Sequence, residues 1–263
     1  MITYVKKSGD TMGYIKWHDY QIDEDYIILQ EELIKTSYNK ADIKNPNYFK
    51  CFNINELIGS KIAKEINLRT VDYYIAKSEF NDIILSSPSF KRMGYVYLDH
   101  NSFLSYKLRR DNFENHIEFY LSECINDANR EEFLNDFFKL LALDTYMMQK
   151  DRCGCNLTFE INEINKYLRL APIYDYEQSF EGSIDNFFCR NPLWDFMGFT
   201  EYSILMDQYP IFKEKLKEIQ EISLKSIIEN IELEKHIIIP DNIKEYYENE
   251  EKNSHKLLQK ILN

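Results

Sequence analysis

Two acidic residues and one amide follow each other at spacings that suit phosphoryl transfer from ATP. Asp151 stands five positions before Asn156, and Asp175 stands nineteen positions after Asn156. Such a transfer needs a carboxylate that orients the attacking hydroxyl, and it needs oxygen ligands for the Mg²⁺ that neutralises the phosphates. We therefore predict that Asp151 is catalytic and that Asn156 and Asp175 bind the metal.

A β-hairpin is the element that must bring Asn156 and Asp175 together. Apolar residues alternate from Leu157 to Ile161, which predicts one strand, and residues 167–174 predict a second strand that finishes at Asp175. The two ends of a hairpin lie side by side, so the amide and the carboxylate should meet. A long helix ending near Lys150 should lead into this loop, and its apolar stripe consists of Phe133, Phe137, Leu140, Leu141 and Met147.

The first third of the chain has the pattern of a small sheet crossed by one helix. Short apolar runs predict strands at 14–17, 26–29, 33–35, 71–76 and 82–85. Asn53 is placed to cap a helix in which apolar residues recur at helical spacing, namely Leu57, Ile58, Ile62 and Ile66. Beyond Thr200 the pattern predicts two further helices, at 203–233 and at 242–262.

Lys35 is the candidate cation for the ATP phosphates, because it follows Leu33 and Ile34 on a predicted strand. Lys16, on an earlier predicted strand, is the alternative. Glu56 could form an ion pair with Lys35, or it could stabilise only the start of its own helix through the helix dipole.

Four further positions have both a functional and a simpler interpretation. Residues 86–89, which include Ser87, follow a predicted strand where a hinge would hold adenine through backbone groups. Arg152 could bind a substrate phosphate or an activation segment, although a surface arginine is the simpler interpretation. Cys153 and Cys155 suggest a metal, but no second Cys or His pair stands at zinc-ligand spacing, so we interpret them as ordinary thiols.

These segments resemble motifs of the HipA-like Ser/Thr kinases, the toxin kinases of bacterial toxin–antitoxin modules. D-R-C-G-C-N at 151–156 resembles the family's D-R-H-x-x-N loop, and L-A-P-I-Y-D at 170–175 resembles its L-x-P-x-Y-D metal segment. Residues 33–35 resemble the strand that bears the ATP lysine, and 55–65 resembles the helix that follows it. Ser8 and Gly9 resemble the start of the phosphate-binding loop, so the resemblance runs from there to the last helix.

The resemblance implies an α+β, two-lobed protein-kinase-like fold that uses ATP and Mg²⁺. We expect a small β-rich N-lobe at 1–92 and a mostly helical C-lobe at 93–263. Ser8 is expected to be an autophosphorylation site, with a plain turn residue as the alternative. The residues expected to bind the nucleotide are Ser8, Gly9, Thr11, Lys35, Ser87, Asn156, Tyr174 and Asp175.

Three features depart from the family pattern. Cys153 stands where the family has His, and the loop at 8–13 lacks the fuller G-x-x-x-K pattern. The chain also begins almost at this loop, without the N-terminal subdomain of the longer family members. We expect a separate small protein to supply that subdomain, and we expect a DNA-binding antitoxin as a partner.

The function that the resemblance implies is phosphorylation of a Ser or Thr on a protein, with translation-related proteins as the expected target. A small-molecule or lipid phosphotransferase is one alternative, and a shaped apolar substrate pocket would favour it. A pseudokinase that binds ATP without turnover is the other alternative.

Composition and charge limit the class of protein. The chain has 263 residues and a formal net charge of −12, which works against direct binding to nucleic acid. No apolar run has the length of a signal peptide or a membrane span, so we expect a soluble cytoplasmic protein without membrane contact. Five cysteines at irregular positions fit reduced thiols better than a disulfide framework.

Overall fold

The fold comes from a computed structural model, which describes residues 5–7, 13–23, 26–36, 48–77, 83–88, 90–105, 113–149, 152, 154, 156–180 and 198–263. Up to residue 52 the description covers backbone alone. The strands are β1 (Val5–Lys7), β2 (Gly13–Asp23), β3 (Tyr26–Thr36), β4 (Tyr74–Lys77), β5 (Ile83–Pro88), β6 (Tyr95–Asp99), β7 (Thr158–Asn162) and β8 (Leu168–Leu170). The helices are α1 (Tyr48–Glu65), α2 (His100–Ser105), α3 (Phe113–Glu123), α4 (Asp127–Tyr146), α5 (Phe199–Gln208), α6 (Pro210–Gln220), α7 (Leu224–Lys235) and α8 (Asp241–Leu262).

The N-terminal part is an antiparallel five-stranded sheet with the order β1-β2-β3-β5-β4, and one helix, α1, accompanies it. The predicted strands at 26–29 and 33–35 are in fact one strand, β3. Its polar residues Gln30, Glu31 and Glu32 pair with β2 in continuous register. Backbone pairing with β2 therefore continues through polar residue types, among which Glu is uncommon in strands.

Helix α1 begins at Tyr48, so the prediction that Asn53 caps it is wrong. Asn53 and Asn55 are buried inside the helix, as are Leu57 and Ile58. The predicted apolar face is confirmed at Leu57, Ile58 and Ile62. Asn55 is satisfied by tertiary hydrogen bonds, which allows an asparagine to stand inside a helix that its sequence preference would end.

The helical part contains a second sheet of three antiparallel strands in the order β6-β7-β8. One face of this sheet packs on the helices through Phe159, Leu168 and Leu170, all of them buried. Phe159 stacks on Phe103, with ring centroids 4.7 Å apart, and lies 4.9 Å from the ring of Tyr120. The β7-β8 hairpin is thereby fixed to the core before it reaches the candidate site.

Helix α4 confirms the predicted apolar stripe, because Phe133, Phe137, Leu140 and Leu141 are buried. The helix ends at Tyr146 rather than near Lys150. Met148 adopts the left-handed region at a φ of 48°, and this conformation stops the helix.

Strand β8 ends at Leu170, although the sequence predicted a strand up to residue 174. Ala171 still donates its amide to Thr158, but Pro172 has no N–H with which to extend the ladder. Ile173 instead forms a parallel bridge with Thr70, which follows α1 in the chain. The chain therefore leaves the hairpin and joins the N-terminal part just before Asp175.

The predicted helix at 203–233 is wrong as one element, since α5, α6 and α7 replace it. Pro210 occupies the first turn of α6 and cannot continue α5, and Ser223 caps α7 through the amide of Ser226. The predicted helix at 242–262 is confirmed as α8. None of the helices in the described part of the chain has the length and apolar character needed to cross a bilayer.

Candidate active site

Arg152 is completely buried and connects three parts of the chain. Its Nη2 and Nε atoms donate to the two carboxylate oxygens of Asp144 on α4, at 2.9 and 3.0 Å. Its Nη1 donates to the backbone oxygens of Tyr174, at 2.7 Å, and Asn156, at 3.3 Å. One guanidinium thus holds the predicted catalytic loop beside the segment that carries Asp175.

The charge of Arg152 is maintained by its partner. Burial by itself would lower the pKa of Arg152, but Asp144 beside it outweighs burial and leaves that pKa above its ordinary value. The side chain of Asp144 is 1% exposed, so both charges are removed from water and depend on each other.

Residues 173–180 begin inside the predicted metal-binding motif at 170–175 and continue past it. They are called the metal segment below, and a buried carboxylate attaches them to α1. The backbone amide of Tyr176 donates to Oε2 of Glu56 at 3.0 Å. Tyr73 also hydrogen-bonds Glu56, and its pKa is raised well above the usual value by burial and then by the Glu56 charge. Glu56 therefore fixes the distance between α1 and the metal segment.

Three carboxylates gather where α1 meets the metal segment. Oxygen atoms of Glu56, Asp175 and Glu177 all lie within 4.8 Å of one another. Asp175 has a φ of 64°, and its backbone oxygen accepts from Nε2 of Gln149 at 2.8 Å. This left-handed conformation is uncommon at residues other than glycine, although Asp adopts it more readily than most.

A glycine in the middle of α1 lets the metal segment approach the helix closely. A Cβ on Gly59 would lie 2.3 Å from Cγ of Tyr176, so only glycine leaves room for this ring. The hydroxyl of Tyr176 reaches Thr70 at 2.9 Å. Asn55 donates to the backbone oxygens of Glu177 and Ser179 at 2.7 and 3.0 Å, and so holds the rest of the segment against α1.

Two solved structures superpose on nearly the whole length of this chain. The Helicobacter pylori proinflammatory kinase CtkA superposes with a TM-score of 0.59 and 12% identity, over 99% of this chain and 94% of that chain. HipA of Shewanella oneidensis MR-1, solved with HipB and its operator DNA, superposes with a TM-score of 0.56 and 12% identity, over 96% of this chain and 64% of the HipA chain. Neither a family model nor a curated protein sequence matches this chain.

The chain has the fold of a HipA-like kinase. The predicted fold class, α+β with a β-rich N-lobe and a mostly helical C-lobe, is confirmed. At 12% identity the likeness establishes the HipA-like kinase fold alone. The division at residues 92 and 93 stays a prediction.

Within this fold the backbones of Asn156 and Tyr174, the residue before Asp175, lie close together, whereas the predicted meeting of the Asn156 and Asp175 side chains stays a prediction. Asn156 and Tyr174 share Arg152 as a backbone partner. The ring of Tyr174 stacks on Phe90 with centroids 5.7 Å apart, and its hydroxyl bonds Thr158 at 3.0 Å. Contacts of these residues with a nucleotide or a metal stay predictions.

The remaining predicted site residues are described in part or not at all. Lys35 lies on β3 opposite Leu85 of β5, and Lys16 lies on β2, while both side chains fall outside the described residues. The predicted pairing of Lys35 with Glu56 is therefore untested. Several predicted positions lie wholly outside the description: Ser8, Gly9, Thr11, Asp151, Cys153 and Cys155.

Two interpretations from the sequence need correction. Residues 86–88 belong to β5, because they pair with β3, so the strand extends past the predicted end at Leu85. Ser87 is 4% exposed and its hydroxyl points at the backbone oxygen of Pro88, 3.4 Å away. Arg152 is not a surface arginine, since its side chain is fully buried against Asp144.

Sequence reasoning missed the residues that support the site. Asp144 is a charge inside the apolar run 140–146, and such a charge on a buried helix face calls for a buried partner. Gly59 stands inside an apolar helical pattern, where glycine costs helix stability and so indicates close packing. Glu177 follows Asp175 by two positions and carried no comparable signal.

Proposed function

We propose that this protein is a serine/threonine kinase that transfers the γ-phosphate of ATP to a protein substrate. The carboxylate cluster of Glu56, Asp175 and Glu177 carries this proposal, because it contains the predicted metal ligand Asp175 in a chain that has the fold of a kinase. Arg152 connects the metal segment to Asn156, which stands five positions after Asp151 in the sequence.

The donor set around the metal segment suits magnesium. Every candidate ligand atom in the cluster is a carboxylate oxygen, and oxygen is the ligand type that Mg²⁺ prefers. We assign Asp175, Glu177 and the amide oxygen of Asn156 to the metal, and Glu56, which accepts the amide of Tyr176 at 3.0 Å, adds negative charge beside them. Bound Mg²⁺ would neutralise charge on the ATP phosphates.

The other roles follow from the order of residues in the chain. Asp151 orients the substrate hydroxyl and accepts its proton, since it precedes Asn156 on the same loop. Lys35 on β3 binds the phosphates, with Ser8, Gly9 and Thr11 in the loop above them. Backbone groups near Ser87 hold the adenine, and Tyr174 lines the lower side of the same cleft.

The proposed partners rest on the likeness to HipA, which was solved with HipB and operator DNA. We assign this chain to a cytoplasmic toxin–antitoxin module in which a DNA-binding antitoxin contacts the kinase. A small protein resembling an N-terminal subdomain is a second proposed partner, and a translation-related protein is the proposed substrate. The net charge of −12 favours contact with DNA through the antitoxin.

Thermal unfolding with and without Mg-ATP tests the binding part of this proposal. A ligand bound only by the folded state raises the midpoint, by an amount equivalent to about 2.7 kcal/mol at a hundred times the Kd. Asp175→Asn should abolish most of the shift. Asp72→Asn is the matched control, because Asp72 is exposed and pairs only with Lys64 among the described residues. Equal shifts in both variants would remove Asp175 from the metal site.

Radiolabel transfer from ATP tests the catalytic part. Asp151→Asn should keep the affinity for Mg-ATP and reduce transfer by roughly a hundredfold or more, because orientation of the hydroxyl matters in the transition state. Phosphate mapping on the wild type should find Ser8. ATP binding without any transfer would identify a pseudokinase, and transfer to small molecules or lipids alone would refute a protein substrate.

A further inference from the structure

Three arginines converge on one carboxylate on the face of the β6-β7-β8 sheet that is turned away from the helices. Arg92 reaches Oε1 of Glu160 through Nη2 at 2.7 Å, and Arg169 reaches the same oxygen through Nε at 2.8 Å. Arg69, which follows α1, places Nη1 3.6 Å from the other oxygen, Oε2. We call Arg69, Arg92 and Arg169 the arginine cluster.

The arginine cluster has more positive charge than its partner can balance. Three guanidinium groups share the single carboxylate of Glu160, which leaves an excess of two positive charges in a chain whose net charge is −12. Asp136 is the other carboxylate that acts on Arg69. Its Oδ1 lies 3.7 Å from Nζ of Lys139, so its charge is offset by that lysine. The pKa of Arg69 is lowered by burial and then by the charge of Arg169, so the cations repel each other.

The arginines are open to solvent, whereas the carboxylate lies beneath them. The side chains of Arg92, Arg69 and Arg169 are 52%, 32% and 24% exposed, and that of Glu160 is 1% exposed. A guanidinium has five N–H donors, and the contacts with Glu160 and the backbone oxygen of Leu170 use only some of them. An incoming anion would meet donors and not the carboxylate.

An aromatic ring fixes the orientation of two of the guanidinium groups. The ring of Tyr95 lies 4.6 Å from the guanidinium carbon of Arg92 and 5.4 Å from that of Arg169. Cation–π contact and the shared oxygen of Glu160 therefore hold both planes before any ligand arrives. Preorganised donors lose little conformational entropy on binding.

We infer that the arginine cluster binds a phosphoryl group, presented either as free phosphate or as a phosphorylated side chain. A phosphate monoester carries nearly two negative charges at neutral pH and offers three acceptor oxygens, which match the local excess of two charges and the convergent donors. A nucleic acid would extend over surface that is negative overall, which disfavours it. The inference does not rest on the proposed kinase activity.

Arginine side-chain NMR of the folded chain tests this inference directly. Inorganic phosphate, titrated at constant ionic strength with chloride as the reference salt, should shift the Nε–Hε signals of Arg69, Arg92 and Arg169. Arg92→Gln should weaken phosphate binding at least tenfold while the chain stays folded, since Arg92 is half exposed. Arg130→Gln is the control for lost charge, because Arg130 is 48% exposed and pairs with Asp127 at 3.4 Å.

A second titration, with a short phosphoserine peptide, distinguishes free phosphate from a phosphorylated side chain as the source of the phosphoryl group. Tighter binding of the peptide than of inorganic phosphate assigns the cluster to a phosphorylated side chain, and equal affinity assigns it to free phosphate. The inference is wrong if neither probe shifts the three signals. It is also wrong if Arg92→Gln and Arg130→Gln weaken binding equally, or if Arg92→Gln leaves binding unchanged.

Discussion

Asp144 and Arg152 form a buried ion pair on which the positions of Asn156 and Tyr174 in the candidate site depend. Both side chains are removed from water, so neither charge is tolerated without the other. Such a pair is weak evidence for high stability, because the loss of hydration offsets much of the attraction. Its value here is geometric, since Arg152 also binds the backbone of Asn156 and Tyr174.

Asp144→Asn should destabilise the protein by about 3–5 kcal/mol, because it leaves a buried guanidinium without its counter-charge. Urea unfolding monitored by circular dichroism measures the free energy of unfolding. Asp127→Asn on the same helix is the matched control, since its partner Arg130 is on the surface, and it should cost less than about 1 kcal/mol. Similar losses in the two variants would contradict the role assigned to Asp144.

His100 connects a buried side chain to the candidate catalytic loop. Its backbone amide donates to the backbone oxygens of Gly154 and Leu157 at 3.0 and 2.8 Å. Its Nδ1 lies 2.6 Å from the hydroxyl of Tyr120. Burial, and then the nearby His116, lower the pKa of His100 to about 4, although Asp99 acts in the opposite direction.

Acid should therefore destabilise the fold through His100. Between a pH of about 6.5 and 4, the unfolded chain protonates this imidazole and the folded chain does not, so stability falls as pH falls, by about 3 kcal/mol in total. His100→Gln should remove that part of the pH dependence in urea unfolding at pH 7 and pH 4. His236→Asn, at an exposed left-handed position, is the control and should leave the dependence intact.

At the scale of elements, α1 and the metal segment are fitted to each other. The close approach at Gly59, the amide contact to Glu56 and the two hydrogen bonds from Asn55 all lie on one face of α1. A shift of the helix would disturb the three contacts together. The positions of the three carboxylates therefore depend on the packing of α1 against the metal segment.

Gly59→Ala should destabilise the protein by about 1–3 kcal/mol, even though alanine ordinarily favours a helix by about 1 kcal/mol. The added Cβ would overlap the ring of Tyr176. In a Tyr176→Ala background the ring is absent, and most of this cost should disappear. A double-mutant cycle by chemical denaturation measures the coupling. An unchanged cost in that background would show that the ring does not require the glycine.

The sequence predicted features whose pattern lies within one short stretch of the chain. It did not predict contacts between side chains of different elements. The order of Asn156, the β7-β8 hairpin and Asp175 follows from alternation and turn residues along a short stretch. Asn53 misled the prediction of the α1 start, because a cap preference is weak against burial in tertiary contacts. The partner of Arg152 lies eight residues earlier on a helix, and no spacing rule identifies it.

At the scale of the whole molecule, buried hydrogen bonds connect the two lobes. Asn55 on α1 accepts from the hydroxyl of Tyr247 on α8 at 2.6 Å, and both residues are buried. Helix α1 also packs on α4 and α7. The lobes therefore share an interior, and we expect them to unfold in a single transition.

Tyr247→Phe should lower the free energy of unfolding by about 1–3 kcal/mol, because it leaves the Asn55 oxygen buried without this donor. Tyr167→Phe is the control, since the Tyr167 hydroxyl bonds Glu132 at the surface, and it should cost less than about 1 kcal/mol. Calorimetry checks both the loss and the single transition. Two separate transitions in the wild type would show that the lobes are independent.

The contacts of Arg152 have a consequence for how this molecule could be regulated. Its guanidinium sets the separation of Asn156 and Tyr174 before any ligand arrives. These two segments therefore need little rearrangement when a ligand binds. A regulator that moves either segment would have to break its hydrogen bond to a buried guanidinium whose position the ion pair with Asp144 fixes. A rotation of α1 would act on the carboxylates from the other side, through its hydrogen bonds to the metal segment and the Tyr176 ring, and it would also strain the buried bond from Tyr247 to Asn55.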